Sequence, residues 1–228
     1  MNWFGFCCVQ CHRKLAIATQ GLCSRCNRQI SRFSYCGCCG SAVVNYPLRC
    51  GNCLRDEPAW QRMVIVGRYA EPLSTLIHRF KFNRQFWLDR TLAQLLLLAL
   101  YEARCYHQLT WPDVILPVPL HHLRQWQRGY NQADLLANYL ARWLHIPKRN
   151  DLLCRIIHTP TQRGLSAKAR RKNLNNAFRA NKEIIAANYR SVALVDDVIT
   201  TGATLNEIAK CLRLAGIQHI QVWGLARA

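Results

Sequence analysis

The sequence predicts an α/β protein, a parallel sheet covered by helices, with a small cysteine-rich unit in front of it. Three observations carry that expectation. From about residue 61 onward, short apolar runs of strand character alternate with amphipathic helical stretches. Several of those runs, Val192-Ala193-Leu194-Val195 above all, are apolar at every position, the pattern of strands buried on both faces between helical layers. Ten of the thirteen cysteines fall between Cys7 and Cys53. The 228 residues suffice for one full domain and an appendage, and the composition divides them as 1–58 and 61–228.

The front unit contains four C-x-x-C pairs, Cys8/Cys11, Cys23/Cys26, Cys36/Cys39 and Cys50/Cys53, separated by 11, 9 and 10 residues. Two intervening residues let a tight turn aim both sulfurs at one ion, and two such knuckles complete a tetrahedral S₄ shell. The expectation is a double zinc ribbon holding two structural Zn²⁺. Cys8, Cys11, Cys23 and Cys26 would bind one ion, and Cys36, Cys39, Cys50 and Cys53 the other. An interleaved arrangement uses the same eight residues, and spacing does not separate the two. Cys7 and Cys38 are read as extra cysteines outside the ligand set. Few large apolar residues lie in this unit, so metal would supply its folding energy. Its seven basic residues against two acidic ones, with Trp3, Phe6, Phe33, Tyr35 and Tyr46, also raise the option of base stacking.

In the larger unit, Met63 to Tyr69 reads as a strand, and Leu73, Leu76, Ile77 and Phe80 have helical spacing. A longer helix is expected from Asp89 to His107, since its leucine-rich run has few β-branched residues. Val114 to Pro119 starts as a buried strand and ends in a proline-bounded turn. Asn131 to Trp143 reads as a helix, Cys154 to Ile157 as a strand and Ser166 to Asn173 as a short helix. Val192 to Val195, Ala203 to Leu214 and Ile220 to Trp223 complete the alternation as strand, helix and strand, with Gly216 closing the helix.

Charge and motifs narrow the function. Lysine and arginine number 31 against 12 acidic residues, a formal charge of +19, which falls only to about +15 with two tetrathiolate zinc ions. Such an excess points to a polyanionic partner. The longest apolar run, Leu95 to Leu100, is far too short to span a membrane. Met1 to Phe6 carries no basic signal-peptide region, so the expected compartment is the cytoplasm, where clustered cysteines favour metal over disulfides. No Walker loop, dinucleotide fingerprint or G-x-S-x-G elbow is present.

The most informative string is Val192-Ala193-Leu194-Val195-Asp196-Asp197-Val198-Ile199-Thr200-Thr201-Gly202-Ala203-Thr204. It leaves a buried strand at its carboxyl end, where open α/β sheets bind ligands. A glycine, three hydroxyls and the amides of a following helix are the parts of a phosphate cradle. The two acids would repel a phosphate, so sugar hydroxyls suit them better. This string resembles the 5-phosphoribosyl-1-pyrophosphate (PRPP) loop of type I phosphoribosyltransferases. The resemblance implies that fold, Asp196 and Asp197 on the ribose 2′ and 3′ hydroxyls, and Thr200, Thr201, Gly202, Ala203 and Thr204 around the 5′-phosphate, with Mg²⁺ accompanying PRPP.

Two further strings, Pro117-Val118-Pro119-Leu120 with Arg128-Gly129-Tyr130-Asn131-Gln132, and Thr159 to Ser166 with Arg170-Arg171-Lys172-Asn173, resemble the competence protein F family. In that family a cysteine-rich zinc domain precedes a phosphoribosyltransferase-like domain, so the resemblance covers nearly the whole chain. It puts the first string where pyrophosphate would bind and the second in a hood over the substrate. Arg128 and Arg163 each adjoin a glycine in a matched string, and guanidinium forks suit pyrophosphate oxygens. Together with Asp196 and Asp197 they are the candidate catalytic residues. The resemblance implies a role in DNA uptake or utilisation, with DNA-uptake or DNA-processing proteins as partners and no membrane insertion. Two readings stay open: a magnesium-dependent phosphoribosyltransferase acting on a nucleotide or nucleic-acid component, and a non-catalytic nucleic-acid adaptor that keeps the PRPP pocket. The charge excess keeps single-stranded DNA as a partner in both.

Overall fold

The computed structural model describes residues 6–15, 21–120, 129–156 and 177–228. In chain order the described elements are α1 (Ser24–Arg28), α2 (Gly51–Arg55), β1 (Arg62–Arg68), α3 (Leu73–Phe82), α4 (Asp89–Tyr106) and β2 (Val114–Pro117). They continue with α5 (Gln132–Leu144), β3 (Leu153–Arg155), β4 (Phe178–Ala180), α6 (Glu183–Ala186), β5 (Ser191–Ile199), α7 (Ala203–Leu214) and β6 (His219–Arg227). Four strands form an all-parallel sheet in the order β1-β6-β5-β2.

Alternation along the strands sorts their side chains into two cores. Ala193, Val195 and Trp223 pack with α3, α4 and α5, through residues such as Leu76, Phe80, Leu96 and Leu136. Val192, Leu194 and Val222 face the opposite way, onto Leu205, Ile208 and Leu212 of α7. The sheet is therefore buried on both sides, as continuous apolar strands require. Gly216, at φ +94°, follows α7 in the left-handed conformation that ends a helix without a Cβ clash.

Two strands differ from the sequence-based expectation. β5 does not stop at Val195 but continues through both aspartates to Ile199, because β6 runs alongside and pairs Asp196 with Gly224 and Val198 with Ala226. The segment at Cys154 forms β3, outside the parallel sheet, in an antiparallel ribbon with β4. The helix expected at Ser166 to Asn173 lies outside the described residues.

The cysteine-rich segment lies along the open edge of β1. On its inner side β1 pairs with β6; on its outer side, the Met63 amide donates to the Gly37 carbonyl at 2.8 Å and the Arg68 amide to the Ser31 carbonyl at 2.9 Å. Arg79 of α3 reaches the Val9 carbonyl at 2.8 Å. Val9 and Ile30 enter one core and Tyr35 and Trp60 the other. Unpaired strand edges are aggregation-prone, and this segment covers one with carbonyls that its turns leave free. Of the aromatic residues considered for base stacking, Trp3 lies outside the described residues, Phe6 is exposed, and the other three are used for packing. Tyr35 is buried, Tyr46 stacks on Tyr106, and Phe33 lies under the Arg68 guanidinium.

At Gly67 strand and segment meet backbone to backbone: an added Cβ would stand 2.7 Å from the Ser31 carbonyl oxygen. Gly67→Ala is expected to push the segment off the strand and lower stability by about 1–3 kcal/mol, read as a lower denaturant midpoint. An unchanged midpoint would show that this contact does not hold the segment.

Candidate functional site

Asp196 and Asp197 stand among the last four residues of β5, at the carboxyl edge of the parallel sheet. The strand's alternation turns Asp197 toward the α3 side, where Lys81 Nζ meets its Oδ1 at 2.8 Å. Both partners of this ion pair are largely buried. The aspartates also fold onto the backbone: Asp196 Oδ1 accepts from the Asp197 amide at 2.8 Å, and Asp197 Oδ1 from the Val198 amide at 2.6 Å. Burial and the neighbouring Asp197 carboxylate push the Asp196 carboxyl up to about 7, against the opposing pull of Lys81. The two acids therefore share one cation, and its pull does not overcome the burial of Asp196.

Thr200 and Thr201 follow at the surface, and Gly202 turns the chain into α7 at φ +76°. Glycine is required there twice over. The left-handed backbone disfavours other residues, and a Cβ would lie 3.0 Å from the Trp60 ring. The Ala203 amide donates to Thr201 Oγ1 at 3.3 Å, and the next amides of α7's first turn have no partners within the helix, so the turn Thr200 to Thr204 brings N–H groups and hydroxyls together. The structure thus brings Asp196, Asp197 and Thr200 to Thr204 onto one edge of the sheet. Arg128 and Arg163 lie outside the described residues.

Lys81 was invisible to sequence reasoning. It lies far upstream on an amphipathic helix where a lysine reads as a solvent-facing residue. Trp60 and Asn206 join the site in the same way: the Ala59 amide donates to Asn206 Oδ1 at 2.9 Å, which fixes the first turn of α7.

The cysteines gather in sequential order. Cys8, Cys11, Cys23 and Cys26 form one cluster and Cys36, Cys39, Cys50 and Cys53 the other, with the sulfurs of each within 4.8 Å of one another. A tetrahedral ion about 2.3 Å from each sulfur sets sulfurs about 3.8 Å apart. The observed separations match: 3.7 Å for Cys11–Cys23, 3.9 Å for Cys36–Cys53, 3.6 Å for Cys39–Cys50 and 3.8 Å for Cys50–Cys53. No disulfide links any of these residues. The two clusters repeat one design, since the Cys23 amide donates to Cys8 Sγ at 3.3 Å and the Cys50 amide to Cys36 Sγ at 3.1 Å. Burial raises Cys8, but amides of Cys11, Cys23 and Gln10 outweigh it and bring the thiol down to about 6. Cys39 falls to about 4, chiefly through the Cys36 thiol. Burial drives Cys26 and Cys53 upward, and Cys39 does the same to Cys36. Negative charge concentrated on one sulfur of a dense thiol group is what a dication relieves. Cys7 stands outside the clusters, and Cys38 packs beneath the second one, its Sγ 3.8 Å from the Trp60 carbonyl.

No helix among the described residues is long and apolar enough to cross a membrane. No family model matches the chain. It is 60% identical over 228 residues to competence protein F of Haemophilus influenzae, an alignment that covers 100% of each protein. It is 43% identical over 221 residues to DNA utilization protein YhgH of Escherichia coli strain K12, covering 96% of each. Among solved structures, glutamine PRPP amidotransferase from B. subtilis aligns with 57% of this chain and 24% of its own, at 22% identity and TM-score 0.36. A likeness of that size carries no argument about the fold.

The raised Asp196 carboxyl makes a pH prediction. Between about pH 4 and 7 the folded chain holds a proton that the unfolded chain releases, so native stability falls as pH rises through that window. Asp196→Asn removes the effect. The variant should gain stability relative to the parent as pH rises from 4 to 7, with a constant difference above that. Urea midpoints measured at pH 4, 6 and 8 check this, and parallel curves would refute it.

Proposed function

The chain belongs to the competence protein F family, and from that premise we propose that it binds PRPP, with magnesium, at the carboxyl end of β5 in the service of DNA uptake or utilisation. One observation carries the binding reading: two adjacent carboxylates lie near the carboxyl end of a buried strand, and after Val198 and Ile199 the chain enters a Thr-Thr-Gly-Ala-Thr turn at a helix start. Ionised carboxylates accept from a sugar diol, and the turn's amides and hydroxyls donate to a phosphate. The two ends of a 5-phosphoribosyl group thus find opposite chemistry a few residues apart. The α/β unit, residues 61–228, is on this reading a type I phosphoribosyltransferase fold.

In this reading Asp196 and Asp197 orient the ribose, with Lys81 paired to Asp197 at 2.8 Å. Thr200 to Thr204 fix the 5′-phosphate. Magnesium would neutralise charge on the pyrophosphate, and Arg128 and Arg163 are assigned to its oxygens by the family resemblance. The reaction such a site serves breaks the bond from the anomeric carbon to pyrophosphate and forms one to a nucleotide or nucleic-acid acceptor. Electrostatic positioning supplies most of the help, because the anomeric carbon develops positive charge as pyrophosphate leaves. Without turnover, the same site makes the protein a nucleic-acid adaptor that responds to PRPP. The eight clustered cysteines of residues 1–58 hold two structural zinc ions. We take the compartment to be the cytoplasm, where these thiols stay reduced.

Calorimetric titration with PRPP and magnesium is expected to give saturable binding. Asp196→Asn with Asp197→Asn should weaken it roughly a hundred-fold or more, at about 1.5–3 kcal/mol per charge-assisted bond. Equal affinity in parent and variant would overturn the ribose assignment. Release of pyrophosphate on addition of nucleotides or oligonucleotides separates the transferase from the adaptor.

A second feature favours single-stranded DNA as the polyanion. From the last residue of α3 onward the chain exposes Phe82, Phe86 and Trp87 within six residues, with Arg84 exposed between them and Arg90 exposed just beyond. Ring faces between cations suit unpaired bases on a phosphate backbone, and a duplex offers no such bases. Fluorescence titration with oligothymidylate is expected to show affinity falling with salt, by about 0.7 in log–log slope per phosphate contact. Arg84→Ala with Arg90→Ala should flatten that slope. Trp87→Ala should weaken binding at unchanged slope. No binding at low salt would remove DNA from the reading.

A further inference from the structure

We propose that Trp60 is a positioning residue that ties the phosphate-cradling turn to the second cysteine cluster, so that ligand on the turn and metal in the cluster stabilise each other. The inference rests on the PRPP-site reading above and adds a link that the reading does not need.

Trp60 is nearly fully buried and touches both structures. Its Nε1 donates to the Cys38 carbonyl at 2.7 Å. Cys38 sits between Cys36 and Cys39, two sulfurs of the cluster, and its own Sγ returns to the Trp60 carbonyl at 3.8 Å. The far edge of the same indole lies against Gly202, at 3.0 Å from where a Cβ would stand. Ala59 completes the strap. Its amide donates to Asn206 Oδ1 at 2.9 Å, and its carbonyl accepts from Arg213 Nε at 2.9 Å. The first turn of α7 and its last turn are thus both held by the two residues that leave the cluster.

Between cluster and turn lies a cavity of about 590 Å³. Ser41, Asn52 and Cys53 line it on the cluster side and Thr201, Asn206 and Arg227 on the other, with Ala59 and Trp60 bridging the two walls. The backbone at Cys38 is fixed by the knuckle on either side of it. If the knuckle loosens, the indole loses its hydrogen-bond anchor, and Gly202, whose φ of +76° already leaves few alternatives, loses the surface it rests on. Coupling of this kind is reciprocal: a ligand that orders the turn must favour the closed knuckle to the same extent.

The test uses the full chain loaded with two zinc ions per molecule, with ribose 5-phosphate as the probe. Pulsed thiol alkylation with peptide mass spectrometry reads the opening of each cluster separately while a chelator withdraws zinc. Ribose 5-phosphate is expected to slow opening at Cys36, Cys39, Cys50 and Cys53 by about five-fold or more, and to leave Cys8, Cys11, Cys23 and Cys26 unchanged. Trp60→Phe, which lacks the indole N–H, and Asn206→Ala, which cuts the strap at the surface, should each abolish that protection with zinc content still two. If the probe binds by calorimetry but protects both clusters equally or neither, or if both variants keep full protection, the coupling is refuted and the PRPP-site reading stands. If the probe does not bind the parent chain, the PRPP-site reading fails and takes this inference with it.

Discussion

Two carboxylates on neighbouring residues of a buried strand are the constraint to which the rest of the site answers. Left alone, Asp196 and Asp197 would repel each other in a place where water screens them poorly, and the strand would be better off ending at Val195. Three features keep it going. β6 runs beside it and pairs Asp196 with Gly224, Lys81 comes across from α3 to Asp197, and each carboxylate takes a backbone amide. Even so Asp196 remains hard to ionise. Strand geometry of this kind persists when the acids have work to do, because an apolar strand end would be more stable.

The cysteine-rich segment solves a different problem with the same economy. A parallel sheet of four strands has two edges, and β1 would offer its amides to any passing chain. Instead Gly37 and Ser31 take the Met63 and Arg68 amides. A segment with so little apolar content could not hold that position by burial alone. The clusters on either side of Ser31 make its turns rigid enough to act as an edge cover, and a few side chains, Val9, Ile30, Tyr35 and Trp60, anchor it into both cores.

How much of this was legible in the sequence depended on whether the signal was local. Helices α3, α4, α5 and α7 show in their periodicity, and cysteine spacing indicated two four-sulfur groups, with the sequential order preferred. Short elements without a periodic run, β4 and α6, left no trace. The true length of β5 was hidden because aspartate is a poor strand former, and only the partner strand reveals that pairing continues. Lys81 could not be found, since one lysine on a helix says nothing about which strand end it will meet. The contacts of Gly37 and Ser31 were equally out of reach, because a backbone carbonyl accepts a hydrogen bond whatever its side chain.

The placement of α3 gives the fold its functional logic. Its inner face, Leu73, Leu76, Ile77 and Phe80, is locked into the core, so its carboxyl end cannot shift without disturbing that packing. Lys81 and Phe82 are adjacent there and point apart: the lysine reaches inward to Asp197, and the phenylalanine begins the exposed aromatic corner. A helix turns by about 100° per residue, so consecutive positions can serve two surfaces from one rigid support. A small phosphorylated sugar needs only the inner surface. The +19 charge is far more than such a ligand can use, and it makes a second copy of the chain a poor occupant for the corner, since two such molecules repel. An anion that also carries flat, unpaired rings satisfies both the arginines and the aromatics. On the proposed reading, one helix end therefore holds the sugar site and the strand platform at a fixed separation, which a protein handling phosphoribosyl groups beside a nucleic acid requires.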